Sequence, residues 1–235
     1  MTIHLICVGM CAHDSIYTVP SIPTRAVKVL ATRYDECGGG MAANASVAAA
    51  RLGVSVEYWG RTGDDALGRR ITDELAAEGV DVANVRQIAG CTSPSAAILV
   101  DGHGERLICA YNDPRLDDDT RWLPLARIAA ADAVLADVRW RRGSAAVLDA
   151  GRMAGKIAVL DADIGPVDDI RDLIPRATHV VFSEGGLAAC APGSPDAALR
   201  AIVPSARGLV GVTLGAAGFL WRENGAERDA DQAAR

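Results

Sequence analysis

Positive charge and aromatic side chains are both scarce in this 235-residue chain. It has 24 Lys and Arg against 30 Asp and Glu, so its formal net charge is −6. Nucleic-acid-binding surfaces depend on an excess of basic side chains, so this balance argues against a nucleic-acid partner. Aromatic residues make up 4% of the chain and hydrophobic residues 50%, so Ala, Val, Leu and Ile supply most of the apolar side chains. A chain of this length can bury the core of one large α/β domain.

Signals for export and for membrane insertion are also missing. Residues 1–9 have no basic start and no small-residue cleavage site, and their pattern predicts a strand. No apolar run approaches the ~20 residues that a membrane-spanning helix needs. The sequence therefore predicts a soluble, cytoplasmic protein without a membrane partner.

Common metal and nucleotide motifs are absent too. The six cysteines include no Cys-x-x-Cys pair and the four histidines show no metal-ligand spacing, so we expect reduced thiols and assign no metal ligands. Gly63 and Gly68 have the spacing of a P-loop, but no Lys followed by Ser or Thr comes after them. Gly9 stands alone after the first predicted strand, which excludes a dinucleotide fingerprint there.

What the sequence does contain is an alternation of apolar strands and helices, which favours a parallel sheet with helices on both faces. The pattern predicts strands over residues 5–8, 54–60, 133–136, 157–161, 178–182 and 209–213. It predicts helices over residues 65–78, 123–131, 144–153, 167–173 and 195–202, besides the one that follows Gly40. Residues 16–34 and 95–112 differ, because β-branched residues and turn signals there predict antiparallel hairpins that form a small lid.

Ligand-binding candidates cluster around glycines. Three consecutive glycines ending at Gly40 precede a helix of small residues that carries Asn44, which predicts a small polar ligand at a helix start. Asp14 follows the first strand, where ligands of open α/β sheets bind, but such an Asp also caps turns. Asp161 and Asp163 likewise suit either a metal-bound phosphate or a helix cap. The turn 212–218 suits either phosphate or adenine binding through the backbone, or a plain hairpin.

In their order along the chain, these motifs resemble the ribokinase-like (PfkB) carbohydrate kinases. The matching motifs are Val8-Gly9 with Asp14, Gly39-Gly40 with Asn44, Arg51-Leu52-Gly53, the runs 60–65 and 104–106, and Val212-Thr213-Leu214-Gly215 with Gly218. Residues 135–140, 160–164 and 182–184 most resemble the sulfofructose kinases, and ketohexokinase-like and fructosamine-type kinases are near alternatives. The resemblance implies a three-layer α/β/α fold with a mostly parallel sheet and a β lid, in one domain over residues 1–235.

The resemblance also implies a sugar substrate held between sheet and lid. Its hydroxyls would be bound by Asp14, Gly39, Gly40 and Asn44. Lys28 and Arg139 become candidates for an anionic group on the sugar, because a guanidinium binds sulfonate or phosphate through paired hydrogen bonds, although Lys28 suits a surface ion pair equally well. Ala110 stands where the closest relatives have a polar contact, which counts against a sulfosugar.

A second implied site binds ATP with Mg²⁺. Thr213, Gly215 and Gly218 match the ATP-binding turn of the family. Ser183 and Glu184 fall where relatives have Asn followed by Glu near the Mg²⁺–phosphate region.

One motif of the family has no counterpart in this sequence. Members carry a Gly-Ala-Gly-Asp helix start whose Asp is the catalytic base, and nothing in residues 219–235 matches it. The resemblance therefore predicts a C-terminally truncated domain with impaired activity and no catalytic residue of its own, and residues 227–235 resemble an out-of-frame read-through. A catalytically inactive sugar-binding or sensing protein is the alternative, and a nucleoside kinase a further one, against which Arg139 counts. The family's lids often pair between subunits, which makes a homodimer plausible.

Overall fold

The computed structural model describes residues 2–116 and 119–223, which form a large sheet flanked by helices and a smaller, separate sheet. In chain order the strands are β1 (His4–Gly9), β2 (Ala12–Thr18), β3 (Arg33–Gly39), β4 (Ser55–Gly63), β5 (Asp81–Ile88), β6 (Ser95–Val100), β7 (Arg106–Tyr111), β8 (Ala133–Asp137), β9 (Ile157–Ala162), β10 (His179–Ser183), β11 (Leu209–Thr213) and β12 (Phe219–Glu223). The tail 227–235, interpreted above as a read-through, lies outside the described residues.

Six α-helices connect these strands. They are α1 (Met41–Arg51), α2 (Ala66–Ala77), α3 (Arg141–Met153), α4 (Val167–Leu173), α5 (Glu184–Cys190) and α6 (Pro195–Ile202). Three of them start at a side chain that accepts a backbone N–H one turn on, as N-cap residues do: Asp65 before α2, Ser183 before α5 and Ser194 before α6. Within the described part of the chain, no helix is long and apolar enough to span a bilayer.

The large sheet has the strand order β12-β11-β10-β9-β8-β1-β4-β5. Neighbouring strands run parallel except β11 and β12, which are antiparallel. The side chains of α3 to α6 pack with one face of the sheet into a single apolar core. A second core on the other face is built by α1 and α2 against β1 and β4. The result is the three-layer α/β/α fold with a mostly parallel sheet that the sequence predicts.

The two faces of the β8–β11 half differ in burial. On the face toward α3–α6, side chains such as Val134, Leu160 and Val180 are 0% exposed. On the opposite face, Leu135, Val159 and Val181 are only half-buried. The alternation follows the two-residue period of a strand. Within the described residues, helices thus cover this half of the sheet on one face.

The lid is a four-stranded sheet of order β3-β2-β6-β7, in which two antiparallel hairpins meet through parallel pairing of β2 with β6. Both predicted hairpins are present, but the first is longer than predicted, because β2 begins at Ala12 and β3 continues to Gly39. Two of the three consecutive glycines are therefore strand residues, and only Gly40 directly precedes α1. The prediction that three glycines open the helix therefore holds for Gly40 alone.

Four further elements differ from the sequence-based prediction. Residues predicted as a helix over 123–131 form a 3₁₀ helix (Leu125–Ala130), because their backbone bonds span three residues after Pro124. The sequence pattern missed β5, an edge strand whose exposed positions are Asp81, Ala83 and Gln87. It also missed α5, which has only seven residues and two glycines in its first turn. Finally, it missed β12, the antiparallel edge strand after the glycine-rich turn.

Candidate functional site

Two segments of the chain, residues 10–14 and residues 39–40, pack against each other where the lid joins the large sheet. We call this place the crossing. Gly40 has φ = +96°, and a Cβ there would lie 2.3 Å from the carbonyl oxygen of Met10. A Cβ on Gly39 would lie 2.3 Å from Oδ2 of Asp14. Both glycines are thus explained by close approach of two segments at the carboxyl end of β1. Any ligand contact that they make comes in addition to this packing role.

Asp14 and Asn44 stand on either side of this crossing. The Asp14 carboxylate lies against Gly39, is half-buried, and has no hydrogen-bond partner among the described residues. Its burial raises the pKa of this carboxyl above the ordinary value, while nearby His13 lowers it. The Asn44 side chain is exposed on the first turn of α1 and likewise has no partner in the described part of the chain. The crossing therefore presents two polar side chains that a ligand can engage.

Asp137, at the end of β8, holds the crossing together. It is 0% exposed, and its Oδ2 accepts the backbone N–H groups of Met10 (2.8 Å) and Ala42 (3.2 Å). Its Oδ1 accepts the N–H of Arg139 (2.8 Å). Burial raises the pKa of this carboxyl above the ordinary value, although the three N–H donors lower it. Asp137 lies in the run 135–140 that carries part of the family resemblance, but no role was predicted for it; the available signal was a lone acid ending an apolar strand.

The two basic candidates lie in different places. Arg139 lies two residues after Asp137, and its exposed side chain extends from the turn between β8 and α3. Lys28 is exposed in the connection between β2 and β3, which joins the lid strands at Thr18 and Arg33. That is the opposite end of the lid sheet from Gly39. The structure brings Arg139 to the crossing and leaves Lys28 at the far end of the lid.

A groove of about 560 Å³ runs from the lid between α1 and α2. Gly39 and Asn44 line one end, whereas Asp14 and Arg139 do not line it. Two ion pairs lie beside it: Arg51 at the end of α1 pairs with Glu78 at the end of α2, and Arg70 of α2 pairs with Glu36 of the lid. Its floor is apolar side chains of the second core, so the groove itself suits a polar ligand less well than the crossing does.

A second cluster lies at the carboxyl ends of β9 and β10. Asp161 neighbours Asp137 in the strand register, and its side chain has no hydrogen-bond partner among the described residues. Burial, with the charges of Asp137 and Asp163, raises the pKa of Asp161 to about 6. Asp163 accepts a hydrogen bond of 2.6 Å from Ser183 Oγ, which in turn accepts the Gly186 N–H. Ser183 and Asp163 therefore serve the start of α5, while Asp161 stays available.

The residues predicted to bind ATP converge beside this cluster. Thr213 pairs with Ser183 across β10 and β11, and its hydroxyl donates to the carbonyl of Phe182 (3.4 Å). Gly215 (φ = +55°) and Gly218 (φ = +92°) bound the turn that leads into β12. This turn is a hairpin closed by a hydrogen bond from the Leu214 N–H to the Gly218 carbonyl. A hairpin was one of the two predicted alternatives, and nucleotide binding by the backbone of the turn stays a prediction.

The fit of ATP and Mg²⁺ can be judged from these residues. Nothing lies within 4 Å of a Cβ placed on Gly215, so the backbone of the exposed turn is open to a nucleotide. Glu184 is exposed on the first turn of α5, on the same edge of the sheet. Over residues 2–116 and 119–223, no group of three or more His, Cys, Asp or Glu side chains forms a metal site. The described side chains thus fit a nucleotide but do not by themselves constitute a Mg²⁺ site.

A parallel sheet between helix layers, with a β lid over the strand ends, defines a ribokinase-like α/β fold. A protein of this fold from Agrobacterium tumefaciens, described as a ribokinase, superposes with a TM-score of 0.89 at 35% identity, over 95% of this chain and 74% of that one. Arabidopsis thaliana ribokinase, solved with ribose and ATP, superposes with a TM-score of 0.79 at 20% identity, over 97% of this chain and 77% of its own. That lower identity supports the fold alone.

The family follows from the sequence match. Residues 2–234 match the pfkB family carbohydrate kinases, and the chain belongs to that family. It is 32% identical to a fructokinase of Klebsiella pneumoniae over 161 residues, which are 62% of this chain and 51% of that protein. It is 38% identical to a ribokinase of Bacillus subtilis over 96 residues, 40% of this chain and 33% of that one. The chain spans about half the length, or less, of these curated relatives.

Proposed function

We propose that this chain carries the sugar-recognition site of an ATP-dependent sugar kinase. The observation that supports this most is the crossing at the base of the lid. There Asp14 and Asn44, whose side chains have no partner among the residues that the structure describes, flank Gly39 and Gly40. Asp14 would accept hydrogen bonds from sugar hydroxyls, and Asn44 would both donate and accept, which suits vicinal hydroxyl groups.

The substrate class we propose is a ketose or an acidic sugar such as sulfofructose. The similarity to the K. pneumoniae fructokinase supports a ketose. Arg139, exposed next to the crossing, supports an anionic substituent, because its guanidinium can bind sulfonate or phosphate in paired hydrogen bonds. Lys28 would reach such a group only if the connection between β2 and β3 folds over the crossing, so we assign it the smaller part.

The nucleotide would bind at the other cluster. We place ATP at the turn 214–218, with Thr213, Gly215 and Gly218 along it and Ser183 and Glu184 beside it. Bound ATP would supply the phosphoryl group for transfer to a sugar hydroxyl. Mg²⁺ usually binds through phosphates, waters and one or two carboxylates, so it would arrive with the nucleotide. Asp161 is the described carboxylate best placed to meet it.

The lid supports a homodimer in this proposal. The edge strand β7 is exposed along its whole length, and Leu107, Ile108 and Tyr111 are 40%, 57% and 48% exposed. Such an apolar edge favours pairing with a second copy. Sedimentation velocity tests this: Ile108→Lys should give a monomer where the parent chain gives a dimer, and a parent chain that is monomeric at high concentration contradicts it.

Calorimetry with a panel of sugars tests the main proposal. Fructose, ribose, sulfofructose and a purine riboside are titrated into the parent chain and into four variants. Asp14→Asn and Asn44→Ala should each weaken sugar binding at least 10-fold, a loss of about 1.4 kcal/mol. Asp73→Asn, on the exposed side of α2, is the matched control and should bind normally. Arg139→Ala should weaken binding of the sulfonated sugar more than that of fructose.

The outcomes separate the candidate functions. A coupled ADP assay on the same samples distinguishes a kinase from a protein that only binds or senses sugar. A preference for the riboside would indicate a nucleoside kinase. If none of the four compounds binds, or if Asp14→Asn binds as well as the parent chain, the sugar site is not at the crossing.

A further inference from the structure

Three backbone segments meet at one buried carboxylate. Asp137 accepts the N–H of Met10 in the segment that leads to Asp14, and the N–H of Ala42 in the first turn of the helix that carries Asn44. It also accepts the N–H of Arg139 itself. The bonds join residues that are 127, 95 and 2 positions apart along the chain. Each segment so joined carries a residue of the proposed sugar site.

We infer that Asp137 is the positioning residue of the sugar site, acting through Asp14, Asn44 and Arg139 rather than by touching the sugar. This inference rests on the proposed function. Its side chain is 0% exposed and sealed by the crossing, so a ligand contacts the three segments and not the carboxylate. A loss of Asp137 would let the segments separate and would misplace all three contacts together.

The chemistry of the site requires a carboxylate. All three neighbours donate N–H groups, and a carboxylate offers acceptors only. An Asn side chain would turn an NH₂ donor toward at least one N–H, which leaves that donor buried and unbonded. The surrounding backbone is shaped to this group as well. A Cβ on Gly9 would lie 2.2 Å from Oδ2 of Asp137, so the last residue of β1 must be glycine for the carboxylate to lie there.

A purely structural carboxylate of the same kind exists elsewhere and supplies the control. The Asp113 side chain is fully buried and accepts the N–H groups of Thr92 (2.8 Å) and Arg115 (2.9 Å). It also pairs with the Arg115 guanidinium, and none of these residues belongs to the proposed sugar site. Asp113→Asn therefore applies the same chemical change to a loop that should affect stability alone.

The test compares Asp137→Asn with Asp113→Asn by calorimetry, thermal unfolding and hydrogen exchange. Asp137→Asn should weaken sugar binding at least 10-fold and change binding of a nonhydrolysable ATP analogue less than 2-fold. Amide exchange should accelerate together in residues 10–14, 40–46 and 138–142. Asp113→Asn, even with an equal loss of thermal stability, should keep sugar affinity within 2-fold. If Asp137→Asn does not fold, Asp137→Ser, which keeps one hydroxyl acceptor in less volume, takes its place.

The failures are distinguishable. If the parent chain binds sugar and Asp137→Asn binds it equally well, the positioning role is wrong and the sugar site stands. If Asp113→Asn weakens sugar binding as much at equal stability, the effect is general destabilisation and the inference is wrong. If the parent chain binds no sugar, the proposed function fails, and hydrogen exchange alone decides whether Asp137 couples the three segments. Exchange that rises in one segment only, or in none, overturns the coupling.

Discussion

Replacing Asp161 by Asn should stabilise the protein at neutral pH and leave it unchanged in acid. The Asp161 carboxyl has an ordinary pKa of 3.8 and a folded-state pKa of about 6, because it is mostly buried and faces the charges of Asp137 and Asp163. A raised pKa means that the folded state holds the proton more tightly than the unfolded chain does. The stability that this protonated carboxyl contributes is complete below about pH 4 and is lost as pH rises toward and through 6.

The magnitude follows from the gap between the two pKa values. The two pKa values differ by about two, and each pKa unit corresponds to ~1.4 kcal/mol. The upper limit for the cost of ionising Asp161 in the folded state is therefore ~3 kcal/mol. Partial access to solvent reduces this to ~1–2 kcal/mol. The Asp161→Asn variant carries no charge at either pH, so it should exceed the parent chain by that amount at pH 7.5 and match it near pH 4.

Urea unfolding followed by circular dichroism, at several pH values between 4 and 7.5, measures the difference directly. Comparison of two proteins at each pH cancels the titration of all other carboxylates. Asp73→Asn, an exposed change of the same kind, should show no trend with pH. A stability gain that is equal at pH 4 and 7.5, or no gain at pH 7.5, would refute the electrostatic reasoning.

Three further predictions concern packing and capping. Leu160→Ala, on the fully covered face of β9, should lower the free energy of unfolding by ~2–5 kcal/mol. Val159→Ala, on the other face, should lower it by less than half as much. Equal losses of stability in urea unfolding would contradict the difference between the faces. Gly143→Ala would place a Cβ 2.3 Å from the Trp140 ring, so it should cost ~1–3 kcal/mol and shift tryptophan fluorescence, and an unshifted spectrum would argue against this contact. Ser183→Ala removes the N-cap of α5 and should lower the free energy of unfolding by ~1 kcal/mol. An unchanged free energy of unfolding would mean that the cap does not stabilise this helix.

Local patterns predicted most of the large sheet because its strands are short apolar runs bounded by turns. The strand Leu209–Thr213 and the helices Val167–Leu173 and Pro195–Ile202 have the predicted bounds. Pro and Ser residues mark the ends of the helices, and glycines lie close to both ends of the strand. The edge strand β5 was missed because only one side of it is apolar, and charged residues interrupt the run. Patterns of this kind report burial, so the elements at the margin of the sheet are the least visible.

The candidate site was predictable only in part. Asp14 and Asn44 were found because the sequence resembles a family in which such residues bind sugar, and their local patterns alone left alternatives open. The role of Asp137 was not found, since its bonds to Met10 and Ala42 join residues 127 and 95 positions apart. No pattern within a window of sequence contains both partners. For a related reason, the sequence did not show that Gly38 and Gly39 are strand residues, because this depends on their pairing with β2.

The strand order of the large sheet has a consequence for folding. From β8 to β12 each strand pairs with the next one along the chain, so each of these contacts joins strands separated only by connecting helices or a turn. In the described sheet, β1 connects this half to β4 and β5, by pairing with β8 from Leu5 to Val8. The bonds of His4 to Asp132, 128 positions away, extend that seam. Closing so long a loop is slow relative to the local pairings. Although β1 is synthesised before the strands that it joins, it is therefore expected to be among the last strands locked into the sheet.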